Sequence, residues 1–286
     1  MGCGNSKETV QSSTARKLNR NIFISTADLE GLIQGEGDVV VLNASHSVTN
    51  SFDPVERHKE GHIPGSAVIR LADFRDQSSK LKNMVPLKEE FEKFMTDLNV
   101  DTTVAVVVYD NQNGTFANRV AFILQVYGHP NVRVLDGGYK KWTAEKRDVE
   151  EGETKQRYTC KSDSTEFSLD TNLVRTYDQV HTASAKKTEQ HVDARPEAGY
   201  TAAHIPNAVS VPADSLLNED NTSKSQEELK KIFADAGIDL KKPVVTYCNT
   251  AMKATPLYSA LIYAGATRVS VYDGSWSEWA SKQKKD

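Results

Sequence analysis

Apolar residues recur along this chain in two rhythms. Residues 38–43, 104–109 and 132–135 are short apolar runs, and 191–193, 244–247 and 269–272 take corresponding places later in the chain. Runs such as 104–109 and 244–247, without alternation, predict strands covered on both faces. Between them apolar positions fall at helical spacing. Leu87, Phe91, Phe94, Met95 and Leu98 predict a helix over 87–98, and similar spacing predicts helices over 117–127, 225–236 and 255–264. Strands alternating with helices imply an α/β fold, a mainly parallel sheet with helices on both faces.

The pattern occurs twice. His62-Ile63-Pro64-Gly65-Ser66-Ala67-Val68 returns as His204-Ile205-Pro206-Asn207-Ala208-Val209. The run ending at Tyr109-Asp110 returns as the run ending at Tyr247-Cys248. Asp136-Gly137-Gly138-Tyr139-Lys140-Lys141-Trp142 returns as Asp273-Gly274-Ser275-Trp276-Ser277-Glu278-Trp279. Three landmarks at nearly constant separation indicate duplication of one domain. The expected division is a disordered tail over 1–19, domains over 20–150 and 172–286, and a polar linker over 151–171 that contains Cys160.

Composition narrows the function classes. The 286 residues suit two domains of about 150 each. A net charge of −4 gives no reason to expect nucleic-acid binding, which normally shows a strongly basic face. No apolar run approaches the ~18 residues that span a bilayer, and no apolar signal-peptide core stands near the start. Cys3, Cys160 and Cys248 are too few and too scattered for a disulfide framework or a zinc site, so a reducing compartment is expected. Met1-Gly2-Cys3-Gly4-Asn5-Ser6 fits a myristoylation pattern on Gly2, with Cys3 placed for palmitoylation. This predicts a cytoplasmic protein held to a membrane by two lipids. A mitochondrial transit peptide is the competing reading of the same tail.

Cys248 carries the candidate chemistry. It ends a buried strand and precedes a loop and a helix, so backbone N–H groups and the helix N-terminus can favour thiolate over thiol. The alternative is a small buried hydrophobe. Ligands of parallel sheets bind beyond the C-terminal strand ends, where Cys248 lies, which favours the catalytic reading.

These motifs, in this order, resemble the two-domain rhodanese family of thiosulfate and 3-mercaptopyruvate sulfurtransferases over residues 20–282. The resemblance implies two tandem rhodanese-like domains, the first inactive because Asp110 stands at the position of Cys248. It implies transfer of sulfane sulfur from a small anionic donor to Cys248, then from the persulfide to cyanide or to a thiol such as thioredoxin or glutathione. No metal or organic cofactor is implied.

The loop Cys248-Asn249-Thr250-Ala251-Met252-Lys253 departs from the family's Cys-Arg-Lys-Gly-Val-Thr and Cys-Gly-Ser-Gly-Val-Thr. Ala251 replaces Gly and is strained if the position needs positive φ. Thr250 keeps a hydroxyl where mercaptopyruvate-type members have Ser, which the family pairs with a His and an Asp; His62 and Asp53 are the matches here. Asn249 and Lys253 are candidate donor contacts. Lys253 either depresses the thiol pKa or is a solvated lysine. Arg195 matches a family arginine, whereas Gly199 stands where a second, donor-binding arginine is usual. Arg119 matches an arginine that binds donor or forms an interdomain ion pair. The expectation is a sulfurtransferase nearer the mercaptopyruvate type. The rival is a divergent, weakly active or inactive binding module. A phosphatase requires Cys-x5-Arg, and position 254 is Ala.

Overall fold

The computed structural model describes residues 20–35, 38–47, 49, 51–154 and 166–283. Gly2, Cys3 and Cys160 lie outside these residues.

Two parallel five-stranded sheets form from the two halves. The first contains β1 (Phe23–Ile24), β2 (Val39–Asn43), β3 (Ala67–Val68), β4 (Ala105–Tyr109) and β5 (Val132–Leu135), in the order β1-β5-β4-β2-β3. The second contains β6 (Val174–Arg175), β7 (Gln190–Asp193), β8 (Val209–Ser210), β9 (Val244–Tyr247) and β10 (Val269–Tyr272), in the order β6-β10-β9-β7-β8. The central strands lie where the apolar runs predict. The two-residue edge strands are too short to show any periodicity.

Strand parity explains the two-sided cover. Val40, Leu42, Val106, Val108, Val132 and Val134 point into one buried cluster, while Val41, Val107, Tyr109 and Leu135 point into another. Successive strand residues face opposite sides, so burial of both sets requires helices on both faces. The second sheet repeats this, with Val192, Val244, Val269 and Val271 on one side and Val245, Tyr247 and Tyr272 on the other.

The domains share an apolar seam. The helix Thr115–Val126 is buried almost all round, because one flank covers the first sheet and the other meets the second domain. Phe122 and Val126 belong to the second domain's core cluster, and Phe122 sits edge-on to Tyr258 at 5.0 Å. Tyr258 donates from its hydroxyl to Gln125 Oε1 at 3.2 Å. The end of the polar linker is tied down. Phe167 is buried against Phe91, and the Asp170 N–H donates to the Val126 carbonyl at 2.7 Å.

Connections from β2 and β4 leave in opposite directions along the first sheet, and those from β7 and β9 do so in the second. The space beyond those strand ends is the topological switch point, where ligands of such sheets bind. Asp110 follows β4 there and Cys248 follows β9.

Candidate active site

Cys248 lies at the floor of the loop between β9 and the helix Ala254–Tyr263, with 3% of its surface exposed. Burial pushes its thiol up, and backbone N–H groups of Thr250, Ala254, Lys253 and Asn249 oppose that rise. The loop therefore supplies the ring of donors that the sequence suggests. Desolvation outweighs it, which corrects the expectation of a depressed thiol.

Asp110 shows what the same loop does around a carboxylate. Its Oδ1 accepts from the N–H groups of Gln112 at 2.9 Å and Gly114 at 3.1 Å, and its Oδ2 from those of Phe116 at 2.9 Å and Ala117 at 3.0 Å. The first domain fills its own cradle with a side chain that cannot accept sulfur.

Ser275 shapes the loop around Cys248. Its Oγ accepts from the Cys248 N–H at 3.3 Å and the Ala251 N–H at 3.0 Å, and donates to the Tyr272 carbonyl at 2.8 Å. Ser275 has φ +52°, and Gly138, its counterpart in the first half, has φ +58°. A Cβ on Gly138 would lie 2.7 Å from the Asp110 carbonyl oxygen, so the first half needs glycine there. The Ser-for-Gly exchange between the repeats was the available sequence signal for this pinning residue. Ala251 has φ +61° with its side chain buried, so the anticipated strain is present.

Thr250 does not meet His62 or Asp53. Asn83 of the first domain donates from Nδ2 to the Thr250 hydroxyl at 3.1 Å. His62 is buried, with Nδ1 2.8 Å from the His58 carbonyl, its ring stacked on His58, and Nε2 facing Glu150 at 3.5 Å, within ion-pair reach but without a hydrogen bond. Asp53 caps the helix Pro54–Glu60 through the N–H groups of Val55 and Glu56 and pairs with Arg70 at 2.8 Å. Helix capping and the repeat's own packing hold both residues within the first domain, so the anticipated triad is not assembled.

Each cation anticipated for donor binding carries an aspartate. Arg195 bonds Asp193 at 2.6 Å, donates to the Ala203 carbonyl and lies 4.6 Å over the Trp276 ring. Arg119, buried between the domains, pairs with Asp273 at 2.8 Å and donates to the Asn83 carbonyl. Its interdomain role is the one realised. Asp273 also accepts from the Val85 N–H at 2.7 Å, so Asp273 and Arg119 together set the loop that presents Asn83 to Thr250. Lys253 turns to Asp214 at 2.6 Å, and Asn113 donates to the same carboxylate at 3.2 Å. Lys253 thus acts on the sulfur through its N–H rather than its ammonium. Asn249 accepts through its carbonyl from the N–H of Ser277 at 3.1 Å and the Ser277 hydroxyl at 2.7 Å, which clamps the loop to the helix Ser275–Gln283. Asn83, Asp214 and Asp273 escape sequence reasoning because each reaches its partner across the domain boundary or between distant elements.

Positive charge also borders the site. Asn83 lines a solvent-open cleft of ≈ 720 Å³ together with His46, Arg75, Lys80 and Lys82. Among the described residues there is no group of His, Cys, Asp and Glu arranged to hold a metal ion. No helix among them is long and apolar enough to cross a membrane.

Comparison with known proteins agrees with this architecture. The rhodanese-like domain family matches residues 27–145 and again 176–282. The chain is 33% identical over 276 residues to thiosulfate/3-mercaptopyruvate sulfurtransferase 2 of Arabidopsis thaliana, covering 86% of this chain and 81% of that protein. It is 34% identical over 250 residues to thiosulfate sulfurtransferase of Gallus gallus, covering 84% and 85% of the two chains. Its fold matches the 3-mercaptopyruvate sulfurtransferase SseA of Escherichia coli with a TM-score of 0.81 at 27% identity, over 90% of this chain and 99% of that one. The chain belongs to the two-domain rhodanese family of sulfurtransferases.

Proposed function

We propose that this protein moves sulfane sulfur from 3-mercaptopyruvate or thiosulfate through a persulfide on Cys248. The observation that carries the reading is the ring of four N–H groups around one buried thiol at the switch point. Such a nest holds an anionic sulfur without protonating it. The Cys248 thiolate attacks the outer sulfur of the donor. Its S–S or C–S bond breaks, releasing sulfite or, from mercaptopyruvate, the enolate of pyruvate, which takes up a proton. An acceptor thiol or cyanide then attacks the outer persulfide sulfur and regenerates the thiolate.

Thr250, with its hydroxyl oriented by Asn83, supports the mercaptopyruvate type. Arg75, Lys80 and Lys82 in the adjoining cleft supply the charge that would draw an anionic donor. Thioredoxin and glutathione are the proposed acceptors. Gly2 and Cys3 are proposed lipid attachment sites that keep the protein at a cytoplasmic membrane face. Metabolic labelling with myristate and palmitate tests this against mitochondrial import.

The decisive experiment is intact-mass measurement after exposure to each donor without acceptor. A gain of one sulfur, about 32 Da, that vanishes in Cys248→Ser supports the transfer, and the faster donor sets the subtype. A folded protein that gains nothing from either donor is a binding module instead.

A further inference from the structure

His46 stands three residues beyond β2, at the switch point of the first sheet. His58, His62, His129 and His204 each commit a ring nitrogen to a hydrogen bond. His191 turns Nε2 into the core, and His181 packs against Tyr177 and Trp279. His46 is half-buried, and among the described residues no group bonds either of its ring nitrogens. Packing holds the ring instead, edge-on to Phe116 at 5.1 Å. Its backbone is fixed as well, since its carbonyl accepts from Gln112 Nε2 at 3.1 Å.

The cleft that His46 borders adjoins the sulfur. Asn83 lines the same opening of ≈ 720 Å³. Asn83 bonds the Thr250 hydroxyl at 3.1 Å, and the Thr250 N–H faces the Cys248 sulfur. Two contacts therefore join the cleft wall to the nucleophile. The charged groups beside His46 in this cleft are Arg75, Lys80 and Lys82, while Phe116 and Gln112, packed on its other side, bring no charge. Burial lowers the imidazole below its ordinary value of 6.5, so the ring is neutral near pH 7 and able to take a proton. The three cations keep it neutral and attract an acceptor that carries a carboxylate.

We propose that His46 is a further catalytic residue, the general base for the acceptor thiol. This rests on the persulfide reading of Cys248. The thiol gives its S–H proton to a ring nitrogen of His46 as its sulfur attacks the outer persulfide sulfur. The S–S bond to Cys248 breaks, its electron pair stays on Cys248 as thiolate, and the acceptor leaves as a persulfide. The imidazolium then returns its proton to water. An acceptor that arrives ionised has no use for the base.

Discharge of the persulfide tests this. The full chain is charged with thiosulfate, desalted, and given N-acetylcysteine or sulfite at mildly alkaline pH, where sulfite is a dianion and the thiol is still largely protonated. Loss of the added sulfur is followed by intact mass. In His46→Gln the ratio of thiol to sulfite discharge rates should fall by about a hundredfold. His46→Phe, which keeps a ring against Phe116 but has no base, should show the same fall. An unchanged ratio in both variants, whether both rates drop or neither does, would overturn the proposal and leave His46 a packing residue. Wild-type protein that never takes up sulfur would instead overturn the persulfide reading, and this inference with it.

Discussion

Ala251 holds the left-handed conformation that glycine adopts freely, at φ +61° and fully buried. Ala251→Gly should stabilise the protein by roughly 0.5–1 kcal/mol, the relief of Cβ strain less the added freedom of glycine in the unfolded chain. Paired thermal melts check this. Cys248 itself sets a pH rule. Its thiol is pushed up by burial, so the thiolate fraction grows with pH through and beyond the ordinary thiol range, about 8.5. Alkylation of Cys248 by iodoacetamide should still be accelerating at that pH; a plateau below it would show that the N–H ring wins over burial. Lys253→Ala should leave this profile unmoved, because the ammonium is paired with Asp214 and only the N–H faces the sulfur.

At the scale of elements, the loop around Cys248 is set from outside its own domain. The helix Thr115–Val126 brings Arg119 to Asp273, and the loop at 83–85 lies against both. Arg119→Ala would leave Asp273 buried with its charge uncompensated, at a cost of about 3–5 kcal/mol. It would also release Asn83 from Thr250. Turnover should therefore fall along with denaturant midpoint, and Arg119→Met combined with Asp273→Leu should recover stability without recovering turnover. Recovery of both would mean that the ion pair is merely structural. The apolar half of the seam, Phe122 against Tyr258, was legible only as helix periodicity. A helix hydrophobic on several sides announces burial, not which neighbour buries it.

Over the whole molecule, acid should unfold this protein through its histidines. Burial lowers His129 and His191 from 6.5 to about 4. Between these values the unfolded chain binds protons that the folded one refuses, so stability falls as pH drops from 6.5 towards 4. Asp136, pushed up to about 6 by burial, has the opposite sign over its own window. His191→Gln should flatten the fall in melting temperature between pH 6.5 and 4; an unchanged slope would place the acid sensitivity elsewhere. The duplication, the central strands, the α/β class and the position of Cys248 were all determined by sequence alone. They rest on local apolar runs and on repeated motifs, and local pattern survives without knowledge of contacts. The tertiary structure alone decided how the charges are used. Arg195 and Lys253 look like free cations in sequence, and Arg119 like either a donor contact or an interdomain ion-pair partner, yet each is neutralised by an aspartate. Thr250 is oriented by Asn83 rather than His62. Such pairings follow from which surfaces the two sheets bring together, and the cost of burying an unpaired charge makes them obligatory once that packing is set.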